Sequence, residues 1–364
     1  MITNGSTLLR SIVMIVVAIV ASAVIFQLSG YSAVEAMSGF VQGAITGPGS
    51  VTSTLRWSLP LVLVGLGTVL CFRSGYFNVG AQGQLYVGAI AAAAIIPVMP
   101  GPAPLRMVVG IVAAVAAGMI WSLIAAWLKT STGADELLTT LMLNFIGALV
   151  LQYMTNGPLR DLSGSGQVAA APPLPPEVRI TGSSGVGLVN VAVIVLVVIG
   201  CWFLVNRTTF GLAATIVGRN PQVAARQGVN PRYIVWSTFA FSGGLAGLAG
   251  ALEVLGPTGR LIQGFSPDVG FTGVLVALVG GLTVLGAVFA AVFFGALAAA
   301  IQYLPIVTDL PRSALEVLQG FVALLITVQL RASWKKRSTK AAQATAAPAP
   351  MASVPDPART KDQR

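Results

Sequence analysis

The sequence predicts an all-α, polytopic membrane protein with about ten transmembrane helices. Of its 364 residues, 55% are hydrophobic and only 9% are charged, whereas soluble domains carry about 25% charged residues. The mean hydropathy is +0.85. A chain this poor in charge cannot cover a globule with a polar surface, so membrane lipid must surround most of it.

The charge balance and the missing residue types exclude several function classes. The net charge is +10, but the basic residues lie at the ends of apolar runs, which argues against nucleic-acid binding. The chain has no histidine, and this excludes a Ser-His-Asp or Cys-His catalytic site and any histidine-ligated metal. Cys71 and Cys201 both fall in apolar spans and are interpreted as small core residues.

The first 57 residues are predicted to form one transmembrane helix and an external segment. The apolar run Ser11–Leu28 lacks a clear cleavage site and predicts a retained first span. Residues 29–56 are mixed and contain a weakly amphipathic stretch, Ala33–Ala44, which is expected to lie along the membrane surface. The transmembrane domain proper is expected at residues 58–330.

Apolar runs within residues 58–330 predict nine more spans. After the last one, basic residues at 331–337 stop transfer, and the segment 331–364 is expected to end in a disordered cytoplasmic tail. The spans are predicted at Ser58–Phe72, from the following polar string to Ile96, at Leu105–Leu128, from Glu136 to Met154, at Leu188–Val205, at Tyr233–Leu255, as two runs within Val269–Leu304, and at Ser313–Leu330.

The distribution of basic residues and of glycine predicts the topology. Arg73, Lys129, the loop 206–232 and the basic run after Leu330 all fall inside if the N-terminus is inside, so both termini are predicted to be N-in and C-in. Two interruptions, at 73–84 and 280–286, occupy comparable places along the chain. They predict broken helices in two related halves, spans 2–5 and 7–10.

Polar side chains within the apolar helices are candidates for a substrate pathway. Irregular backbone at membrane depth is tolerated only when it is buried in protein or lines a cavity. Gly80, Gly83 and Gly88 fit tight helix packing, but the amides among them have no such explanation. The candidate pathway residues are Asn78, Gln82, Gln84, Asn144 and Glu253.

Two of these candidates also have a plain structural interpretation. Asn144 lies two turns inside an apolar helix, where a buried amide bonds either another helix or a ligand, and the helix is the more common partner. Glu253 lies at the outer end of a span. An intramembrane acid is a functional candidate, but near a helix end it can also reach water or pair with Arg260.

The segment Asn206–Arg232 is a long polar interruption that is strongly basic. It carries Arg207, Arg219, Arg226 and Arg232 and no acid, as expected of a loop on the cytoplasmic side.

Two short helices are predicted in this loop, at Gly211–Ala214 and Gln222–Gln227, with Asn220-Pro221 as a start signal for the second. A short helix beneath a membrane domain is suited to receiving force from a soluble partner. The polar loop Thr155–Gly187, on the opposite side, is predicted to be an extended surface segment and is a possible docking site for a binding protein.

Several strings of residues resemble one family. RTTFGL at 207–212, GRNP at 218–221, AARQGVN at 224–230 and SGGLAGLAG at 242–250 together resemble the permease subunits of bacterial ABC importers. The subgroup takes up nucleosides, simple sugars such as ribose and, more distantly, branched-chain amino acids.

Three further strings fit the same family: FNVGAQGQ at 77–84, TTLMLN at 139–144 and GFTGVLVALVG at 270–280. The sequence departs from the family pattern at Gln82, where the family often has an acid, and at Val284-Leu285, where it has Asn-Pro.

The resemblance implies an importer subunit in a bacterial inner membrane, with no cofactor in this chain. ATP would be bound and hydrolysed on a partner, the ATP-binding subunit. A second permease subunit would complete the path, and an external solute-binding protein would deliver the solute. The residues implied to couple to the ATPase are Thr209, Gly211, Gly218, Arg219, Asn220, Ala224, Ala225, Arg226 and Gly228.

The leader span, the segment 29–56 and the TTLMLN string resemble nucleoside-type permeases most, but a ribose-type sugar permease shares most of these motifs. Other classes remain as alternatives: a stand-alone secondary transporter or channel, and a structural membrane anchor.

The sequence has no Walker A motif, so the energy for transport must come from another chain. Acids are scarce within the spans, which argues against a proton-coupled carrier. Amides and hydroxyls near the midplane predict an uncharged solute.

Overall fold

The computed structural model describes residues 32–163, 168–180 and 186–307, together with the single positions 24, 27 and 320. Apart from those single positions, the expected spans Ser11–Leu28 and Ser313–Leu330 and the segment 331–364 lie outside the described residues.

The described residues are almost entirely helical. The α-helices are α1 (Ala33–Val41), α2 (Ser50–Arg73), α3 (Ala81–Val98), α4 (Ala103–Thr132), α5 (Glu136–Asn156), α6 (Leu188–Arg207), α7 (Thr209–Arg219), α8 (Pro221–Arg226), α9 (Pro231–Leu255), α10 (Val269–Val279) and α11 (Val284–Val307). A π-helical turn, Gln42–Thr46, follows α1, and a 3-10 turn, Pro176–Val178, lies between α5 and α6.

Seven of the described helices are long and apolar enough to cross a bilayer: α2 to α6, α9 and α11. The apolar helix α10, with 11 residues, is shorter than a span. The predicted all-α, multi-span class is therefore confirmed.

The second predicted span begins earlier than its hydropathy indicates. Helix α2 starts at Ser50 and not at Ser58, because its first two turns carry hydroxyls that are satisfied inside the protein. The Thr54 hydroxyl donates to the Ala44 carbonyl at 2.7 Å, and the Ser58 hydroxyl donates to the Thr54 carbonyl at 2.6 Å. Hydropathy counts such residues as polar, although here Thr54 bonds the turn that follows α1 and Ser58 bonds its own helix.

The described part of the loop between α5 and α6 is extended, as predicted, but it is not only a surface segment. The Ala171 N–H donates to the Leu261 carbonyl at 2.8 Å, and the Leu174 N–H donates to the Gly259 carbonyl at 2.8 Å. Leu174 is 2% exposed. The described part of this loop thus pairs with the segment that follows α9, and its own Leu174 is buried there.

Helix α9 is the centre of the bundle; its glycines pack against α3 and α4, and its Ser242 packs against Gly67 of α2. A Cβ at Gly88 of α3 would lie 2.5 Å from the Cα of Gly247, and a Cβ at Gly247 would overlap the Ala114 carbonyl of α4. Without a hydrophobic driving force between helices in lipid, such close backbone contact supplies the packing energy. The predicted packing role of Gly88 is confirmed.

Both predicted interruptions are present. Residues 74–80 separate α2 from α3, and residues 280–283 separate α10 from α11. In the second break, Gly281 and Leu282 have φ values of 63° and 54°, so the chain turns tightly even though Val284-Leu285 replaces a helix-breaking pair.

Substitution of Gly247 by Val should lower thermal stability, because the new side chain would overlap α4 and overpacking costs about 1–3 kcal/mol. Gly200 on α6 has no atom within 4 Å of a built Cβ. Gly200→Val is therefore the matched control and should leave the unfolding temperature in detergent nearly unchanged. Equal losses in both variants would contradict the packing role of α9.

Candidate functional site

The basic loop after α6 folds into two short helices, each fixed by its own cap. The Thr208 hydroxyl accepts from the Gly211 N–H at 3.3 Å at the start of α7. The Asn220 side chain accepts from the Gln222 and Val223 N–H groups at 3.0 and 3.1 Å at the start of α8. These are the N-cap contacts that short polar side chains make. The prediction of two short helices is confirmed, although the first has 11 residues.

The predicted coupling residues divide by exposure. Gly211 and Ala224 are buried and hold α7 and α8 against the bundle. The others are exposed. We define this coupling surface by Thr209, Gly218, Arg219, Asn220, Ala225, Arg226 and Gly228.

Helix α7 rests directly on the point where the first break begins. A Cβ at Gly75 would lie 3.0 Å from the Cα of Gly218, and a Cβ at Gly218 would overlap the Arg73 carbonyl. The Arg73 guanidinium also lies 3.5 Å from the Thr215 hydroxyl. The coupling surface is thus in backbone contact with the end of α2.

The first break is held by a ring of amide hydrogen bonds. The Asn78 amide donates to the Gln84 side chain at 3.2 Å and to the Ser242 hydroxyl at 3.0 Å. The Gln84 amide donates back to Asn78 at 3.0 Å, and the Gly80 N–H donates to the same Asn78 oxygen at 3.0 Å. Asn78 and Gln84 are 0% and 1% exposed, so their hydrogen-bonding groups serve the protein itself.

Helix α5 clamps the same break from the other side. The Asn144 amide donates to the Val79 carbonyl at 2.9 Å, and its oxygen accepts from the Gly83 N–H at 2.8 Å. The Thr140 hydroxyl accepts from the Val79 N–H at 3.2 Å. Asn144 therefore bonds between helices, as expected of a buried amide in a membrane.

Gln82 joins the first break to the start of α10. Its oxygen accepts from the Gly270 N–H at 2.6 Å, and its amide donates to the Ser266 carbonyl at 3.1 Å. An ionised acid, which only accepts, could not make the second bond. The departure from the family pattern at this position thus gives a neutral bridge between two helix starts.

Glu253 pairs with Arg56 of α2 at 3.2 Å and is 3% exposed. The expected pairing with Arg260 is wrong. The sequence reasoning missed Arg56 because residues 29–56 were assigned outside the bundle. Nη1 of Arg56 and Oδ1 of Asn190 have no partner among the described residues. Both residues line one small cavity of about 10 Å³, a volume that holds a single water.

The sequence reasoning also missed a larger cavity. It has a volume of about 310 Å³ and lies between α2, α10 and α11. No single string of the sequence marks it, because its polar lining comes from three separate elements: Trp57, Asp268, Thr272 and Gln302.

No group of three or more Cys, Asp or Glu residues in the described part of the chain is arranged to hold an ion, and Cys71 and Cys201 are buried and free. The described residues form the exposed coupling surface, two cavities and a hydrogen-bonded core around the first break.

The sequence matches a known protein family and is similar to several known proteins. Residues 50–328 match the family described as branched-chain amino acid transport system / permease component. The guanosine ABC transporter permease protein NupP of Bacillus subtilis is 32% identical over 330 residues, which cover 90% of this chain and 94% of that protein.

Two further relatives differ in their named solutes. The glucose ABC transporter permease protein TsgB13 of Haloferax volcanii is 29% identical, over 78% of this chain and 77% of that one. The nucleoside ABC transporter permease protein NupB of Lactococcus lactis is 28% identical, over 79% and 81%. No solved structure matches the chain.

The family match spans most of the sequence, and the similarity to NupP extends over nearly all of it. The apolar helices, the two breaks and the capped basic loop all lie within the matched region. The chain belongs to the family of permease components of branched-chain amino acid transport systems.

Proposed function

We propose that the chain is a permease subunit of an ATP-binding cassette importer for nucleosides in a bacterial inner membrane. The observation that carries the proposal is the contact of the coupling surface with the first break, through Gly218 and Gly75. A protein that works without an ATPase has no need of a capped, basic surface seated on a broken helix. The names of NupP and NupB support nucleosides as the solute.

A simple sugar is the second candidate solute, favoured by the similarity to TsgB13. The architecture would be the same for either solute. In both cases the importer would contain two ATP-binding subunits, a second permease subunit and an external solute-binding protein.

In this proposal ten spans cross the membrane, with both termini inside, and spans 2–5 and 7–10 form related halves. ATP-driven closure of the ATPases moves α7 and α8. Because α7 contacts Arg73 and Gly75 by backbone, its displacement moves the first break. Gln82 carries that movement to the start of α10. The open side of the path then switches by rigid-body motion, as in alternating access.

The five polar residues expected on the substrate path keep that role as a proposal, with a more specific task. In the described conformation Asn78, Gln84 and Asn144 bond the first break, Gln82 bonds the start of α10, and Glu253 bonds α2. We assign to them the positioning of the path's discontinuous helices.

Charge reversal of the coupling surface should abolish uptake. Arg219→Glu combined with Arg226→Glu replaces exposed positive charge by negative charge at the ATPase contact, and should prevent co-purification of the ATPase while leaving membrane insertion intact. Arg160→Glu, on the outer side, is the matched control. Normal ATPase docking in the double variant would overturn the coupling assignment.

Gly218→Ala should separate docking from coupling. The added methyl overlaps the Arg73 carbonyl and lifts α7 from the break, while the arginines stay exposed. We expect the ATPase to co-purify but ATP-driven uptake to fall at least about tenfold, equivalent to about 1.4 kcal/mol. Gly200→Ala, which adds a methyl group where no atom lies within 4 Å, serves as the control. Full uptake in the Gly218 variant would disprove transmission through this contact.

Asn144→Ala should destabilise the protein and reduce uptake. It leaves the Val79 carbonyl and the Gly83 N–H without a partner, and each buried unsatisfied group costs about 1–3 kcal/mol. Gln152→Ala changes an exposed amide on the same helix and should leave thermal unfolding in detergent unaltered. A stable Asn144 variant with normal uptake would show that the clamp is dispensable.

The solute class is tested by ATP-driven uptake into proteoliposomes that contain the complete importer. Guanosine uptake without uptake of ribose or glucose supports the proposal. Uptake of a sugar alone moves the protein to the second candidate, and uptake without any ATPase removes it from the ABC class.

A further inference from the structure

The cavity of about 310 Å³ between α2, α10 and α11 has the size of a small-molecule site. Such sites range over about 300–1,000 Å³ and combine apolar walls with a few polar groups that fix orientation. Leu61, Phe294 and Ile301 supply apolar wall, and Gly320 also lines the cavity. A volume at the low end of the range fits one compact solute.

The polar groups that line this cavity are not used elsewhere in the described structure. Thr272 is only 8% exposed, yet its hydroxyl has no hydrogen-bond partner within the described residues. The Asp268 side chain does not cap α10, although the residue directly precedes that helix. Asp268 takes part in none of the ion pairs of the described ranges. Gln302, on α11, is exposed.

Trp57 adds a flat aromatic wall. The Arg56 guanidinium covers the ring at 3.9 Å from its centroid, and Arg56 is itself neutralised by Glu253. Among the described residues that line the cavity there is one acid and no lysine or arginine. It therefore disfavours phosphorylated solutes, which Asp268 would repel, and suits a neutral solute with hydroxyl donors and an aromatic part.

We propose that this cavity is a nucleoside site of the permease. The base stacks against Trp57, because every base offers a face to an aromatic ring. The two neighbouring ribose hydroxyls donate to the two oxygens of the Asp268 carboxylate, a pairing of two donors with two acceptors. Thr272 and Gln302 supply the remaining polar contacts. This inference rests on the proposed function and gives the solute a place in this chain.

The test uses the complete importer in proteoliposomes, with guanosine and 2′,3′-dideoxyguanosine as probes. An external binding protein would set the apparent affinity, so the informative quantity is the maximal turnover rate. Asp268→Asn should lower guanosine turnover at least about tenfold, and should leave the slower turnover of the dideoxy analogue unchanged. Trp57→Ala should lower the turnover of both, whereas Trp57→Phe should retain most of it.

Two control variants change the same residue types away from the cavity. Trp127→Ala alters an exposed tryptophan of α4, and Asp161→Asn alters an acid in the loop after α5. Both should transport normally. The amount of each variant in the membrane and its unfolding temperature separate misfolding from loss of the site. If Trp57→Ala does not fold, Asp268→Asn with guanosine and the dideoxy analogue keeps the test valid.

Photolabelling with 8-azidoguanosine gives a readout that is independent of turnover. We expect labelled peptides to contain residue 57 or residues 268–272, with labelling reduced by excess guanosine and lost in Asp268→Asn. Normal guanosine turnover in both cavity variants, or labelling elsewhere, would overturn this site and leave the proposed importer intact. An importer that transports only sugars would instead overturn the nucleoside assignment itself.

Discussion

The structure depends on one constraint: a helix that is interrupted inside a bilayer exposes backbone N–H and C=O groups that lipid cannot satisfy. The chain meets this constraint with side chains from distant helices. The Asn144 side chain donates to the Val79 carbonyl and accepts from the Gly83 N–H, and the Gln82 side chain accepts from the Gly270 N–H. The first break and the start of α10 are therefore held by contacts that change if a neighbouring helix moves.

Close backbone packing is the second requirement, because apolar side chains gain little from leaving lipid for another apolar surface. The glycines of α9 let α3 and α4 approach until the backbones touch, and Gly88 meets Gly247 in this way. The same device places Gly218 of α7 on Gly75. In the bundle it gives rigidity, and at the coupling surface it joins α7 to the first break without a flexible side chain between them.

The coupling surface and the larger cavity are thereby connected through a short series of direct contacts. The coupling surface touches the first break, the first break is bonded through Gln82 to the start of α10, and α10 lines the larger cavity beside Trp57. The Arg56–Glu253 pair lies next to this cavity and joins α2 to α9. A displacement of α7 would therefore reach the cavity through bonded neighbours and would not require a rearrangement of the whole bundle.

The sequence by itself determined the features that depend on residues close to one another along the chain. Its lack of charge predicted a membrane protein, its glycine and amide strings predicted both breaks, and Asn220-Pro221 predicted the start of the second short helix of the coupling loop. Each of these signals lies within about one or two helical turns of what it specifies. The start of α2 was misplaced, because hydropathy cannot tell a hydroxyl that faces protein from one that faces water.

Only the tertiary structure decided the partners. Arg56 and Glu253 are 197 residues apart, Gln82 and Gly270 are 188 apart, and Asn78 and Ser242 are 164 apart. A single sequence records which side chains need a partner, because burial in lipid imposes that need on each amide or acid separately. It does not record which partner each one finds, because that depends on how the helices pack, and the cavity exists only once α2, α10 and α11 have come together.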